Sequence, residues 1–137
     1  MRRDVGLALE KGNSPDFADR TIDITTIGRH SGEPRRIEIC FYRFEESTYL
    51  SGRPGPRTRD WLLNLAAEPH FTFHLKNGVV ADLPAIATVI ADPAERRRVL
   101  TDIVERFNRR AAPDDQWELE EWVERSPLAR VHFADSH

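Results

Sequence analysis

Two stretches of this chain concentrate groups that bind anions. The first, Gly28-Arg29-His30-Ser31-Gly32-Glu33-Pro34-Arg35-Arg36, puts three guanidinium groups, a hydroxyl and two glycines within nine residues. Glycine lets backbone amides converge on one point, and arginine offers a planar fork that suits phosphate or carboxylate oxygens. Alone, this turn reads somewhat better as an ordinary solvated hairpin whose arginines do nothing specific. The second stretch, Ser51-Gly52-Arg53-Pro54-Gly55-Pro56-Arg57-Thr58-Arg59, carries three more arginines up to the start of a helical pattern. The unpaired amides and dipole of a helix N-terminus favour negative charge, so the two loops together point to one phosphate-bearing ligand.

Other chemistries lack their residues. Neither G-x-x-x-x-G-K-[ST] nor G-x-G-x-x-G occurs, so the loops are not a Walker or Rossmann phosphate site. The histidines, His30, His70, His74, His132 and His137, contain no H-E-x-x-H pair, and no metal site is expected. His74 reads as a strand residue on the face away from the core. Ser31 stands outside any G-x-S-x-G elbow and has no assignable base. Cys40 is the only cysteine and sits in an alternating apolar segment, which reads as a buried structural thiol.

The 137 residues, with 39% hydrophobic side chains, fit one domain. No run approaches the roughly 20 apolar residues of a membrane span. Met1-Arg2-Arg3-Asp4-Val5-Gly6 opens no signal-peptide core, so a soluble cytoplasmic protein without stable membrane insertion is expected. The formal charge of −3 is unevenly spread: seven arginines lie between Arg29 and Arg59, while every charge from Asp114 to Glu124 is negative. A local basic segment in a mildly acidic chain argues for a small anionic ligand and against nucleic acid.

The loops need a scaffold, and alternating hydrophobicity supplies it. Strands are expected at Thr21–Ile27, Arg36–Phe44, Thr48–Ser51, His70–Leu75, within Val79–Ile90 with a bulge or edge at Pro84, and at Leu128–Phe133. Thr58 is the expected cap of a helix to about Ala67 carrying Trp61, Leu62 and Leu65. Asp92-Pro93 starts another, whose apolar stripe is Val99, Leu100, Ile103, Val104 and Phe107; Arg96, Arg97 and Arg98 form its solvated side. Asp114-Asp115 starts a third with Trp117 and Trp122. Residues 1–20, with a helix-compatible piece around Val5 to Leu9, read as an arm or lid, and residues 21–137 as the single domain. Six short strands and about three helices make a mainly β (α+β) fold, a closed or nearly closed antiparallel barrel in which closure removes exposed edges.

Three strings carry a family resemblance: Ile22-Asp23-Ile24-Thr25-Thr26-Ile27-Gly28-Arg29-His30-Ser31-Gly32-Glu33-Pro34-Arg35, then Tyr49-Leu50-Ser51-Gly52-Arg53, then Trp61-Leu62-Leu63-Asn64-Leu65-Ala66-Ala67-Glu68-Pro69. The chain resembles the deazaflavin-dependent nitroreductase family, within the flavin and deazaflavin oxidoreductase group of split β-barrels related in fold to FMN-binding pyridoxamine 5′-phosphate oxidases. The resemblance implies coenzyme F420 as cofactor, with FMN as the alternative, and hydride transfer to a small quinone, nitro or enone acceptor. A non-catalytic carrier of the same ligand is the competing reading.

On this resemblance Arg29, His30, Ser31, Gly32, Arg35 and Arg36 would hold the phosphate and acidic tail. Ser51, Gly52 and Arg53 would approach the ring, with Trp61 and Asn64 positioning that loop. Lysine of the nitroreductase pattern is replaced by His30 in the first turn and by Gly52 in the second loop, where Arg53 or Arg57 would supply the charge. Proton-donor candidates are Ser51, Tyr42 and Tyr49. The resemblance further implies a homodimer with ligand between subunits, and Trp117 and Trp122 are the expected anchors.

Overall fold

The structure is a computed structural model that describes residues 1–134, so the last three residues of the expected 21–137 domain lie outside it. Six strands, β1 (Thr21–Ile27), β2 (Pro34–Phe44), β3 (Ser47–Ser51), β4 (His70–Leu75), β5 (Ala81–Val89) and β6 (Leu128–Phe133), close into an antiparallel barrel in the order β1-β2-β3-β6-β5-β4. Four α-helices accompany them among the described residues, α1 (Arg3–Leu9), α2 (Asp60–Ala67), α3 (Pro93–Arg110) and α4 (Leu119–Arg125), the first on the helix-compatible piece around Val5 to Leu9. At seven residues α1 is too short to stand alone in water and is held by packing. Its Val5, Ala8 and Leu9 join the barrel core.

The barrel interior is filled by inward residues of the strands, among them Ile22, Ile24, Phe41, Leu50 and Phe73. Phe73 is fully buried and meets Phe41 and Phe133 edge-on, with ring centroids 5.4 and 5.2 Å apart. A second apolar cluster forms outside, where Val99, Leu100 and Ile103 of α3 and Trp122 of α4 cover Tyr42, Tyr49 and Leu128. With both faces covered, Phe41-Tyr42, Tyr49-Leu50 and Leu128-Ala129 are each buried in succession, where a strand with one wet face would alternate.

Several local expectations change. Strand β2 starts at Pro34, two residues before the expected Arg36, because its pairing with β1 continues to Ile27 opposite Pro34. Thr58 does not cap α2: Arg59 occupies the N-cap position and no side chain caps it. Asp114-Asp115 lies in a single 3-10 turn, Pro113–Asp115, and α4 begins only at Leu119. Asp92 does cap α3, its Oδ2 accepting from Glu95 N at 2.9 Å. Pro84 pairs with Thr72 of β4 and its carbonyl accepts from Ala134 N at 3.0 Å, so the proline sits at the very end of the β5–β6 ladder, where its missing N–H leaves the register from Ala85 onward intact.

Arg96 is not part of a solvated face. Arg97 and Arg98 are, paired with Glu120 and Glu45, but the half-buried Arg96 guanidinium donates to the carbonyls of Ile90, Trp122, Val123 and Ser126. It satisfies the carbonyl end of α4 and ties that helix to α3. Trp122 is wholly buried, which makes it a core residue of its own subunit and not an interface anchor. No helix among the described residues is long and apolar enough to cross a membrane.

Because Phe73 centres the aromatic contacts of the barrel, Phe73→Ala is expected to cost about 3–5 kcal/mol in urea unfolding. A loss below about 1 kcal/mol would contradict the packing described.

Candidate functional site

The barrel wall is incomplete along β2. Residues Pro34 to Cys40 pair with β1, but β3 pairs only with Phe41 to Phe44. Beyond Ser51 the chain leaves β3 as the loop 52–59, turned aside by Pro54 and Pro56, which cannot donate to a ladder. The N-terminal half of β2 therefore keeps one edge without a strand partner, and the loop and α2 stand beside it.

Two cavities occupy this space. The larger, about 700 Å³, is lined by the first turn (Gly28, Arg29, His30, Ser31), by Arg35 and Ile37, and by Asp60 and Asn64 of α2. The smaller, about 300 Å³, is lined by Phe17, Cys40, Tyr42, Ser51, Gly52, Arg53 and Phe107. Glu38, Ile39, Arg59 and Trp61 line both, so the two form one groove along the open edge of β2.

The first turn is built by its own residues. Gly28 N donates to Glu33 O and Gly32 N to Gly28 O, each at 2.8 Å, and Gly32 takes φ +72°, a region that disfavours a side chain. A Cβ on Gly28 would lie 2.7 Å from Ser31 Oγ. That oxygen accepts from Glu33 N at 3.1 Å and from Arg35 Nη2 at 3.3 Å, so Ser31 orders the turn and aims Arg35.

Arg29 has a comparable internal task. Its backbone N and Nη1 both donate to Asn64 Oδ1, at 3.1 and 2.9 Å, and its Nη2 pairs with Asp60 Oδ1 at 3.1 Å. The buried Asn64 donates in turn to Thr26 Oγ1 at 3.3 Å. The first turn is thereby latched to α2, and Asn64 is the residue through which the first turn and the helix that follows the second loop are fixed relative to each other.

The remaining candidates fall in different places. His30 and Arg35 line the larger cavity, Ser51, Gly52 and Arg53 the smaller, and Trp61 both. Arg57 lines neither, lying in a third cavity on the other side of its loop. Arg36 sits on the opposite face of β2 from Arg35, where its Nε pairs with Asp23 Oδ2 at 3.0 Å. Arg59, absent from the sequence-derived site, lines all three cavities; it is held by donation from its Nη2 to Arg53 O, and a Cβ at Gly55 would strike its guanidinium. Among the described residues Arg35, Arg53 and Arg59 have no carboxylate partner, while Asp60 and Glu38 are neutralised by Arg29 and Lys76. The groove thus carries unspent positive charge.

The proton-donor candidates also separate. Tyr49 is buried under α3, in the second apolar cluster. Ser51 is buried with its Oγ donating to Pro127 O at 2.7 Å, which commits its hydrogen. Tyr42 lines the smaller cavity with the Arg20 guanidinium over its ring, 4.6 Å from the centroid. Burial pushes its hydroxyl above the usual tyrosine range, opposed by Arg20, so it is a neutral donor at ordinary pH. Cys40 is half-buried in the same cavity, and burial pushes its thiol up, which disfavours a reactive thiolate. His74 faces away from the core as expected but is buried, with Nε2 2.7 Å from Thr25 Oγ1 and Nδ1 2.7 Å from Asp82 Oδ1.

The sequence profile of the family described as F420H(2)-dependent quinone reductase matches residues 10–122. The chain belongs to this family. It is accordingly an F420H2-dependent oxidoreductase, with coenzyme F420 as its cofactor. A search of curated protein sequences gave no match. The fold is similar to that of a conserved hypothetical protein, Rv2991, of Mycobacterium tuberculosis, with a TM-score of 0.66 at 16% identity over 98% of this chain and 81% of that one. It is similar to a putative pyridoxamine 5′-phosphate oxidase from Listeria innocua, with a TM-score of 0.62 at 10% identity over 96% and 92% of the two chains. It is also similar to an F420-H2 dependent reductase, FDR-A, with a TM-score of 0.58 at 20% identity over 82% and 94%.

The different settings of two adjacent arginines yield a sharp test. Arg35→Ala is expected to weaken F420 binding about tenfold or more, the scale of a charge-assisted contact. Arg36→Ala should leave it within about twofold. Equal losses in a fluorescence titration would show that overall charge, and not the groove, sets affinity.

Proposed function

We propose that the F420 of this enzyme lies along the open edge of β2, with its phosphate toward His30 and Arg35 and its ring toward Trp61 and Ser51. The observation that carries this reading is the continuity of the two cavities. The groove is cationic where the first turn lines it and gains apolar walls from Ile37, Ile39 and Trp61. A ligand with an anionic end and a flat ring matches that division. The three arginines without carboxylate partners fit a phosphate-bearing group, and Arg59, which lines both cavities, would meet it midway.

When bound, the reduced deazaflavin supplies a hydride to the acceptor; the chain supplies position and a proton. Reduction of a quinone to a hydroquinone takes one hydride and one proton at each turnover. We assign the chain's proton donation to the Tyr42 hydroxyl, since Ser51 is committed to Pro127 O and, of the two tyrosines, Tyr42 lines the smaller cavity whereas Tyr49 lines neither. Ser51 acts as a fixed wall that keeps the loop against β6. The smaller cavity, with Phe17, Tyr42 and Phe107 around it, is the proposed seat of a flat small-molecule acceptor.

We further propose that two copies pair across the mouth of this groove, so that the cofactor along the open β2 edge lies between the subunits and the half-buried Ile37 and Ile39 are covered by the cofactor and the partner together. A half-buried apolar groove gains by being closed over its ligand by a second copy.

Fluorescence titration with F420 is expected to saturate in the low micromolar range, with FMN binding more weakly, and F420H2 oxidation should follow addition of menadione. No saturable F420 binding would refute the groove assignment. Tyr42→Phe is expected to lower kcat about 10²-fold or more with F420 affinity within about threefold, the scale of general-acid catalysis. An unchanged kcat would remove Tyr42 from the mechanism. Light scattering should give twice the chain mass, and a monomeric mass at micromolar concentration would refute the pairing.

A further inference from the structure

Across the 52–59 loop from the cofactor groove lies a third cavity, of about 580 Å³, whose lining includes Arg57, Arg59, Arg96, Arg125, Ser126 and Glu124. Four guanidinium groups against one carboxylate concentrate like charge around a single open-mouthed cavity. Packing does not account for it. Arg96 is spent on carbonyls and leaves its charge unneutralised, and Arg57 and Arg125 form no ion pair among the described residues.

A second observation is independent of charge. Ser126 is only 4% exposed, it lines this cavity, and its Oγ has no hydrogen-bond partner. A buried hydroxyl left unpaired loses its hydration without return, so an oxygen of a bound anion that pairs with it recovers a hydrogen bond. Its backbone carbonyl is already taken by Arg96, so the hydroxyl is the free end of a residue otherwise fixed in place. Thr58 and Arg59 line the same space at the uncapped start of α2, whose first amides have no partner within the helix.

We propose that this cavity is a second oxyanion site, taking a phosphate or carboxylate group of a multivalent anion through Arg57, Arg125 and the Ser126 hydroxyl. Arg59, shared with the cofactor groove, makes two sources of that chemistry accessible: the acidic tail of the cofactor passing over the loop, or a separate anionic solute.

Calorimetric titration of the full chain with inorganic pyrophosphate tests it, because binding of this probe requires no turnover. Saturable binding is expected, with the dissociation constant raised about tenfold in the double variant Arg57→Gln/Arg125→Gln and about threefold in Ser126→Ala. Pyrophosphate binding that is absent, or unchanged in both variants, overturns the site. Repeating the titration with saturating F420 separates the sources. Binding that persists identifies a separate solute. Binding that is abolished, together with weaker F420 affinity in the double variant, identifies the cofactor tail. Abolished binding with unchanged F420 affinity in the double variant would place pyrophosphate in the cofactor groove and overturn the proposal.

Discussion

Strand β2 runs for eleven residues, and its second neighbour, β3, for five. That mismatch governs much of the molecule. A closed barrel normally leaves no strand edge available, but here Pro34 to Cys40 have β1 on one side and no strand on the other. The prolines of the following loop prevent β3 from extending to fill the gap. What would be a defect in a purely structural barrel becomes a groove, and the two arginine-bearing loops sit along it. The latch of Arg29 to Asp60 and Asn64 then holds the two sides of that groove at a fixed separation.

Charge along the groove follows from pairing more than from count. Both loops are rich in arginine, but Arg29 is neutralised by Asp60 and Arg36 by Asp23. The cations left over in the groove are Arg35, Arg53 and Arg59, while the equally unpaired Arg57 faces the third cavity. An anion entering the groove therefore meets guanidinium groups that need not break an existing ion pair, which preserves most of the Coulombic gain. The same reasoning separates the third cavity from an ordinary basic surface, where arginines and carboxylates would alternate.

Much of this was readable from residue order. The strands β1, β4 and β6 fall where alternation puts them, because each has a single apolar face over most of its length. The two loops and the helix after the second were legible from glycine, proline and arginine spacing. Other features depend on geometry that order does not encode. Arg35 and Arg36 are neighbours of one type, and only the start of β2 at Pro34 assigns them to opposite faces. Arg96 lies between features of an amphipathic helix that read as solvated, yet the carbonyl end of α4 packs over it. Arg59 enters all three cavities only because the loop folds it back over Gly55. Nothing in the order of residues marks Ser126, and its unpaired hydroxyl emerges only once the cavity around it is seen.

The central claim is that the open edge of β2 is the cofactor seat. A crystal structure of the chain with F420 tests it most directly. The account predicts density along β2 between the first turn and α2, with the phosphate within hydrogen-bond reach of Arg35 and the ring beside Trp61. Density for the ring anywhere outside the groove lined by Ile39, Arg59 and Trp61 would contradict it.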